Sequence, residues 1–151
     1  MRLKRLKAGD RESAKVLFTL MAKLFEEGSE ELSDGYVDRL LGQEDFWAIA
    51  AFVDNDIVGG ITAHTLPMTR TESSELFIYD IAVRSDQRRK GIGRRLMEEL
   101  RAQATGLGIR DLFVPADNED VHALDFYRAL GGESAPVTIF TFANDSEPSR
   151  S

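Results

Sequence analysis

One stretch constrains this chain more than any other. Leu76 to Val83 is an apolar, strand-like run that ends in Tyr79-Asp80-Ile81-Ala82-Val83-Arg84. A polar turn and Gln87-Arg88-Arg89-Lys90-Gly91-Ile92-Gly93 follow, and then a helical pattern with Ile92, Leu96, Leu100 and Leu107 near one face. Strand, glycine-rich turn and helix start make an anion site. The first amides of a helix have no partner inside it, and the helix dipole favours negative charge there. Glycine lets the backbone come close to such a ligand and adopt positive φ.

Charge sharpens the reading. The 151 residues carry a net −7, yet the window Arg84 to Arg95 holds six cations against Asp86 alone, a local +5 that leaves −12 for the remainder. A basic island in an acidic chain suits a compact anionic ligand rather than a long polyanion, so a nucleic-acid partner is not expected.

Gly91-Ile92-Gly93-Arg94-Arg95-Leu96 lacks the third glycine of the dinucleotide fingerprint, and no Gly-x-x-x-x-Gly-Lys-Ser/Thr occurs. Arg88-Arg89-Lys90-Gly91-Ile92-Gly93 resembles the acetyl-CoA motif of the GNAT N-acetyltransferase superfamily, Arg/Gln-x-x-Gly-x-Gly/Ala. The preceding Asp80-Ile81-Ala82-Val83 and the later Phe126-Tyr127-Arg128-Ala129-Leu130-Gly131 agree with it.

The rest of the chain reads as one domain, residues 1–142, with a flexible tail over 143–151. No apolar run reaches transmembrane length, and no apolar signal core follows the charged N-terminus. The absence of cysteine excludes disulfides, thiolate metal sites and a cysteine nucleophile, and it fits a cytoplasmic protein. With only His64 and His122, a histidine-rich metal site is not expected.

Met1 to Lys7 reads as a strand. A helix follows, capped by Asp10, with Ala14, Leu17, Phe18, Met21, Leu24 and Phe25 as its apolar stripe. Glu26, Glu27, Glu30, Glu31 and Asp34 form an acidic connection. Ser33 caps a short helix that Gly42 stops. Phe46 to Val53 is a strand buried on both faces, Asp54-Asn55-Asp56 a hairpin turn, and Ile57 to Leu66 the next strand. Within that strand Gly59-Gly60 signals a bulge or close backbone packing. Glu75 to Val83, the helix from Gly91, and Asp111 to Val114 come next. Asp117 or Asn118 then caps a helix with Gly131 at its C′ position. Val137 to Phe142 is expected to be a last strand.

This order predicts a mixed α/β fold: a mostly antiparallel sheet, a parallel β-α-β step and about four helices. It resembles the GNAT fold over nearly the whole chain. The resemblance implies that the fourth and fifth strands splay apart around the pantetheine arm of acetyl-CoA. It further implies that Ile81, Ala82 and Val83 offer backbone groups to the arm and the acetyl oxygen. Arg88, Arg89, Lys90, Gly91, Ile92, Gly93 and Arg94 then surround the pyrophosphate, and Asn118 matches a position that bonds the pantetheine.

Within the superfamily, several stretches resemble the aminoglycoside 3-N-acetyltransferases of type I, which include gentamicin resistance enzymes. They are Phe46 to Phe52, Val58-Gly59-Gly60, Leu66-Pro67, Ile78 to Val83 and Ala116-Asp117. The implied substrate is a polycationic amine, acetylated on its 2-deoxystreptamine ring. Acidity away from the basic island suits such a substrate. Tyr79, Asp80, Asp117, Glu119, Asp120 and His64 are its candidate binding residues. The chain departs from the family in its last strand, where Ile139 and Thr141 stand in place of a His and an Asp, and in the third strand, where His64 replaces an aromatic.

Acyl transfer to an amine needs a proton acceptor for the ammonium, a donor to the oxyanion and stabilisation of the leaving thiolate. Asp80 is the candidate base, the Val83 N–H the oxyanion donor, and Tyr127, matching a superfamily tyrosine near the CoA sulfur, the acid. Without a cysteine or a Ser-His-Asp motif, direct attack in a ternary complex is simpler than an acyl-enzyme. Two rival readings remain at this level: a GNAT enzyme for another amine (a polyamine, an amino acid or a protein N-terminus), or a non-catalytic acetyl-CoA-binding domain. Apolar strand edges also point to a homodimer.

Overall fold

The computed structural model describes residues 1–25 and 30–144. Glu26 and Glu27 of the acidic connection, and the tail from residue 145 on, lie outside the described residues. The chain divides into two compact units, Met1–Pro115 and Ala116–Ser151.

The first unit holds a five-stranded sheet in the order β1-β2-β3-β4-β5. Its strands are β1 (Arg2–Arg5), β2 (Phe46–Val53), β3 (Asp56–Pro67), β4 (Ser74–Val83) and β5 (Asp111–Phe113). The first three pairings are antiparallel and β4–β5 is parallel, as the helical crossover between them requires. The helices are α1 (Arg11–Leu24), α2 (Asp34–Leu41) and α3 (Ile92–Gly106) in this unit and α4 (Val121–Ala129) in the second.

Strand alternation sorts the core into two layers. Phe46, Ala48, Ala50, Phe52 and Ala82 face one way and pack with Leu17 and Met21 of α1 and Val37 and Leu41 of α2. Trp47, Ile49, Ile61, Leu76 and Ile78 point the other way and are almost fully buried, as are Leu96 and Leu100 of α3. Arg11 and Lys15 tie α1 to α2: Arg11 grips Asp38 through two nitrogens, at 2.7 and 3.0 Å, and Lys15 Nζ lies 2.9 Å from Asp34.

Local signals act as expected at several joints. Ser33 Oγ accepts from the Tyr36 amide, and Gly42 ends α2. Asp54 and Asn55, both at positive φ, make the two-residue β2–β3 turn. Asp10 occupies the N-cap of α1 without capping it, because its carboxylate takes the Lys7 amide (2.8 Å) and Lys4 Nζ (3.0 Å) instead. In the second unit the cap is Asp120, which accepts from the Ala123 amide, and neither Asp117 nor Asn118. Asp117 instead bends the chain by accepting from the Glu119 amide at 2.9 Å, so α4 starts later. Gly131 (φ +91) and Gly132 close α4 by bonding back to Arg128 and Tyr127, the Schellman arrangement.

The expected last strand is not formed. Val137 to Phe142 carries no strand hydrogen bonding, and its large apolar side chains are 69–82% exposed. The β-forming residues are there, but propensity makes a strand only where a neighbouring strand supplies a ladder.

Candidate active site

The basic turn is built by backbone geometry. After β4, Ser85–Gln87 makes one 3-10 turn. Arg89 then takes φ +66 and Gly91 φ +78, two left-handed residues that bring the chain round into α3. Gly91 is the N-cap and has no side chain with which to cap. The first amide of the α3 ladder is that of Arg95, bonded to the Gly91 carbonyl at 3.1 Å. The amides of Ile92, Gly93 and Arg94 therefore precede the ladder and line the helix mouth. Arg84 is turned to Asp86 (2.7 and 3.1 Å), which holds that carboxyl below its ordinary range. The local +5 thus rests on Arg88, Arg89, Lys90, Arg94 and Arg95, all exposed. Left-handed backbone, an uncapped helix start and five exposed cations fit a pyrophosphate.

The second part of the site lies where β4 passes its last β5 partner. The β4–β5 ladder has three rungs and ends at Phe77–Phe113, whereas β4 continues to Val83. β5 is thus paired over its whole length, and β4 runs on from Ile78 to Val83 with no β5 residue beside it. On its other side β4 follows β3 to the end, with Ile81, Ala82 and Val83 opposite Ile61, Gly60 and Gly59.

One break interrupts that ladder. Ala63 pairs with Ile78 and Thr62 with Asp80, so Tyr79 is an extra residue with no rung. Such a bulge re-aims the side chains beside it. Asp80 consequently shares a face with Thr62 and, two residues along β3, with His64 and its partner Phe77. This is the α1/α2 face of the sheet. Asp80 is half-buried there, Thr62 is buried, and Tyr79 stands 63% exposed. The His64 ring lies 5.3 Å from Phe46 and 6.1 Å from Tyr79 between centroids.

Sequence reasoning missed this bulge, since neither glycine nor proline marks it. It also missed the left-handed Arg89. The doublet Gly59-Gly60 is a legible signal: β3 bulges at Val58 beside it, and a Cβ at Gly59 would stand 2.7 Å from the Ala82 carbonyl oxygen.

The first unit thus brings together Tyr79, Asp80 and His64 on one face, with Ile81 to Val83 leading into the basic turn. Asp117, Asn118, Glu119, Asp120 and Tyr127 belong to the second unit. The first four are exposed, and Tyr127 is half-buried on α4 with its ring against Phe126 at 5.3 Å. Among the described residues no group of His, Asp or Glu side chains could hold a metal ion, and no helix is long and apolar enough to cross a membrane.

Residues 15–131 match the model of the acetyltransferase (GNAT) family. The chain belongs to that family. It is an acetyltransferase, and this GNAT family uses acetyl-CoA. A comparison with curated proteins gives no match. Among solved structures the chain is similar to the aminoglycoside acetyltransferase meta-AAC0020 from an uncultured soil metagenomic sample. In its complex with trehalose the identity is 32%, the TM-score 0.88, and 95% of this chain and 96% of that chain are covered. The same protein in complex with sisomicin gives 30% identity over the same shares, again with a TM-score of 0.88. AAC(6')-Iy in complex with the bisubstrate analogue CoA-S-monomethyl-acetylneamine shares the fold at 17% identity, with a TM-score of 0.81 and coverage of 95% and 98%.

Proposed function

We propose that this GNAT enzyme transfers the acetyl group of acetyl-CoA to an amine of an aminoglycoside, the 3-amine of the 2-deoxystreptamine ring, by direct attack in a ternary complex. The observation that carries the reading is Asp80. It follows a β-bulge, sits at the end of β4 that runs on past β5, and belongs to a chain that is acidic outside one basic turn. The likeness to meta-AAC0020, whose complex with sisomicin is known, supports the same substrate class.

In this reading Arg88 to Arg94 and the α3 amides bind the pyrophosphate. The backbone of Ile81 and Ala82 lies along the pantetheine arm. Acetyl-CoA supplies the activated acyl carbon and a thiolate leaving group. Asp80 orients the substrate ammonium and takes its proton, directly or through one water. Orienting the ammonium is its first task, and removal of the proton follows from that placement. The Val83 N–H donates to the carbonyl oxygen as negative charge develops there. Tyr127 keeps the role its resemblance implies, protonating the departing sulfur, and Asn118 that of a pantetheine ligand. Tyr79, His64, Asp117, Glu119 and Asp120 are the proposed contacts to the polycation.

One observation favours a second reading, a GNAT enzyme for another amine. By the resemblance to the type I aminoglycoside enzymes, Ile139 and Thr141 stand in place of a His and an Asp, so this chain lacks a carboxylate that the resemblance would offer to a substrate ammonium. A thiol-release assay with acetyl-CoA across a panel of aminoglycosides, spermidine and free amino acids separates the two. Faster turnover of any linear amine than of every aminoglycoside overturns the first.

A further inference from the structure

A continuous run of rings crosses the α1/α2 face of the sheet. Phe46, His64, Phe77 and Phe113 occupy a single cross-strand row, one from each of β2 to β5. Phe18 of α1 meets Phe46 edge-on at 6.2 Å, and Phe77 stacks on Phe113 at 5.1 Å and 8°. Tyr79, set out of register by the bulge, bridges the row. Its ring meets His64 at 6.1 Å and Phe77 at 6.0 Å, edge-on to both.

Exposure changes along the row. Phe46 is core, 7% exposed, but Phe113 is 41% and Tyr79 63% exposed. Core packing accounts for the first end. The second end holds two aromatic rings in fixed orientation at the surface, and Asp80 adjoins Tyr79 on the same face.

We propose that Tyr79 and Phe113, held on either side of Phe77, form an aromatic platform that makes the enzyme select ring-shaped amines over linear ones. This rests on the reading of Asp80 as the group that meets the substrate ammonium. An aminocyclitol presents a flat face of C–H groups edged by ammonium groups. An aromatic surface beside a carboxylate complements both: the rings take the C–H face and draw the cations to their π clouds, and Asp80 takes one ammonium. A linear polyamine offers the charges without the face. It satisfies Asp80 and leaves the platform wet.

The test is equilibrium binding of sisomicin and of spermidine to the CoA-bound enzyme by calorimetry, for wild type, Tyr79→Ala, Tyr79→Phe and Phe113→Ala. CoA affinity on the same samples checks the fold. Each alanine variant is expected to weaken sisomicin about tenfold, in the range of ring and cation–π contacts, with spermidine weakened by less than about threefold. Tyr79→Phe retains the ring and should stay within about twofold of wild type. Equal loss for both amines, no loss for either, or a wild-type preference for spermidine overturns the platform. Turnover is read separately. A protein that binds sisomicin with the expected pattern but does not acetylate it retains the platform and loses the aminoglycoside reading.

Discussion

Gly60 on β3 lies against Leu17 of α1, so that a Cβ at residue 60 would stand 2.8 Å from Leu17 Cδ2 and 2.9 Å from the Ile49 carbonyl oxygen. Neither neighbour has room to yield: Leu17 is fully buried, and the carbonyl belongs to the central ladder. Gly60→Ala should therefore lift α1 from the sheet and destabilise the fold by about 1–3 kcal/mol, the usual cost of overpacking. Urea unfolding of the variant checks this, and wild-type stability would contradict the contact.

Gly91 offers the opposite case. A Cβ there meets nothing within 4 Å, yet its φ is +78. Gly91→Val strains the turn and puts bulk at the helix mouth. CoA should raise the melting temperature of wild type by mass action and leave that of the variant unmoved. An undiminished CoA shift would remove the pyrophosphate site from this turn.

Asp80→Asn keeps the shape of the side chain and removes its charge. Fold and acetyl-CoA affinity should persist while kcat/KM falls on the order of 10²–10⁴-fold, the range for loss of a general base. Steady-state kinetics decide it. Near-normal turnover across the pH range takes Asp80 out of the mechanism.

Attraction between a polycation and a chain carrying −12 outside its basic turn is screened by salt. KM for an aminoglycoside should rise as ionic strength increases, while acetyl-CoA, meeting the basic turn, is weakened by the same salt. A salt-independent KM for the amine would mean that acidity plays no part in its capture.

The Asp10 carboxyl is held below its ordinary 3.8, first by the Lys7 amide and then by Lys4. A depressed carboxyl stabilises the folded state above its unfolded pKa, and this is lost as pH falls through the folded value. Asp10→Ala should thus melt below wild type at neutral pH. The gap should hold down to about pH 3.8 and close beneath it. Melting curves at several pH values test the sign.

Much of this was legible from residues alone. The Gly-x-Gly turn, the Ser33 cap, the Asp54-Asn55 hairpin and the Ala14, Leu17 and Met21 face of α1 each rest on a local rule with one physical outcome, whereas Phe25 and Leu107, read into the apolar faces of α1 and α3, stand at the C-caps of those helices and are exposed. What escaped depends on partners. The bulge at Tyr79 is a property of two strands in register, and nothing in Phe77-Ile78-Tyr79-Asp80 announces it. Val137 to Phe142 reads as a strand by side-chain type, but a ladder is a shared object and none forms there. Asp117, Asn118 and Asp120 are interchangeable as caps by composition, and the turn at Glu119 settles the choice in favour of Asp120.

The three-rung joint between β4 and β5 has a kinetic meaning. The β2–β3 and β3–β4 ladders run to eight and nine rungs, so the sheet's interior opens only with global unfolding, whereas β5 can detach by losing very little. Its amides at Asp111, Leu112 and Phe113 should be among the first of the sheet to exchange with deuterium. Slowed exchange there would then report that something has come to rest on Phe113, long before any change in the melting temperature could.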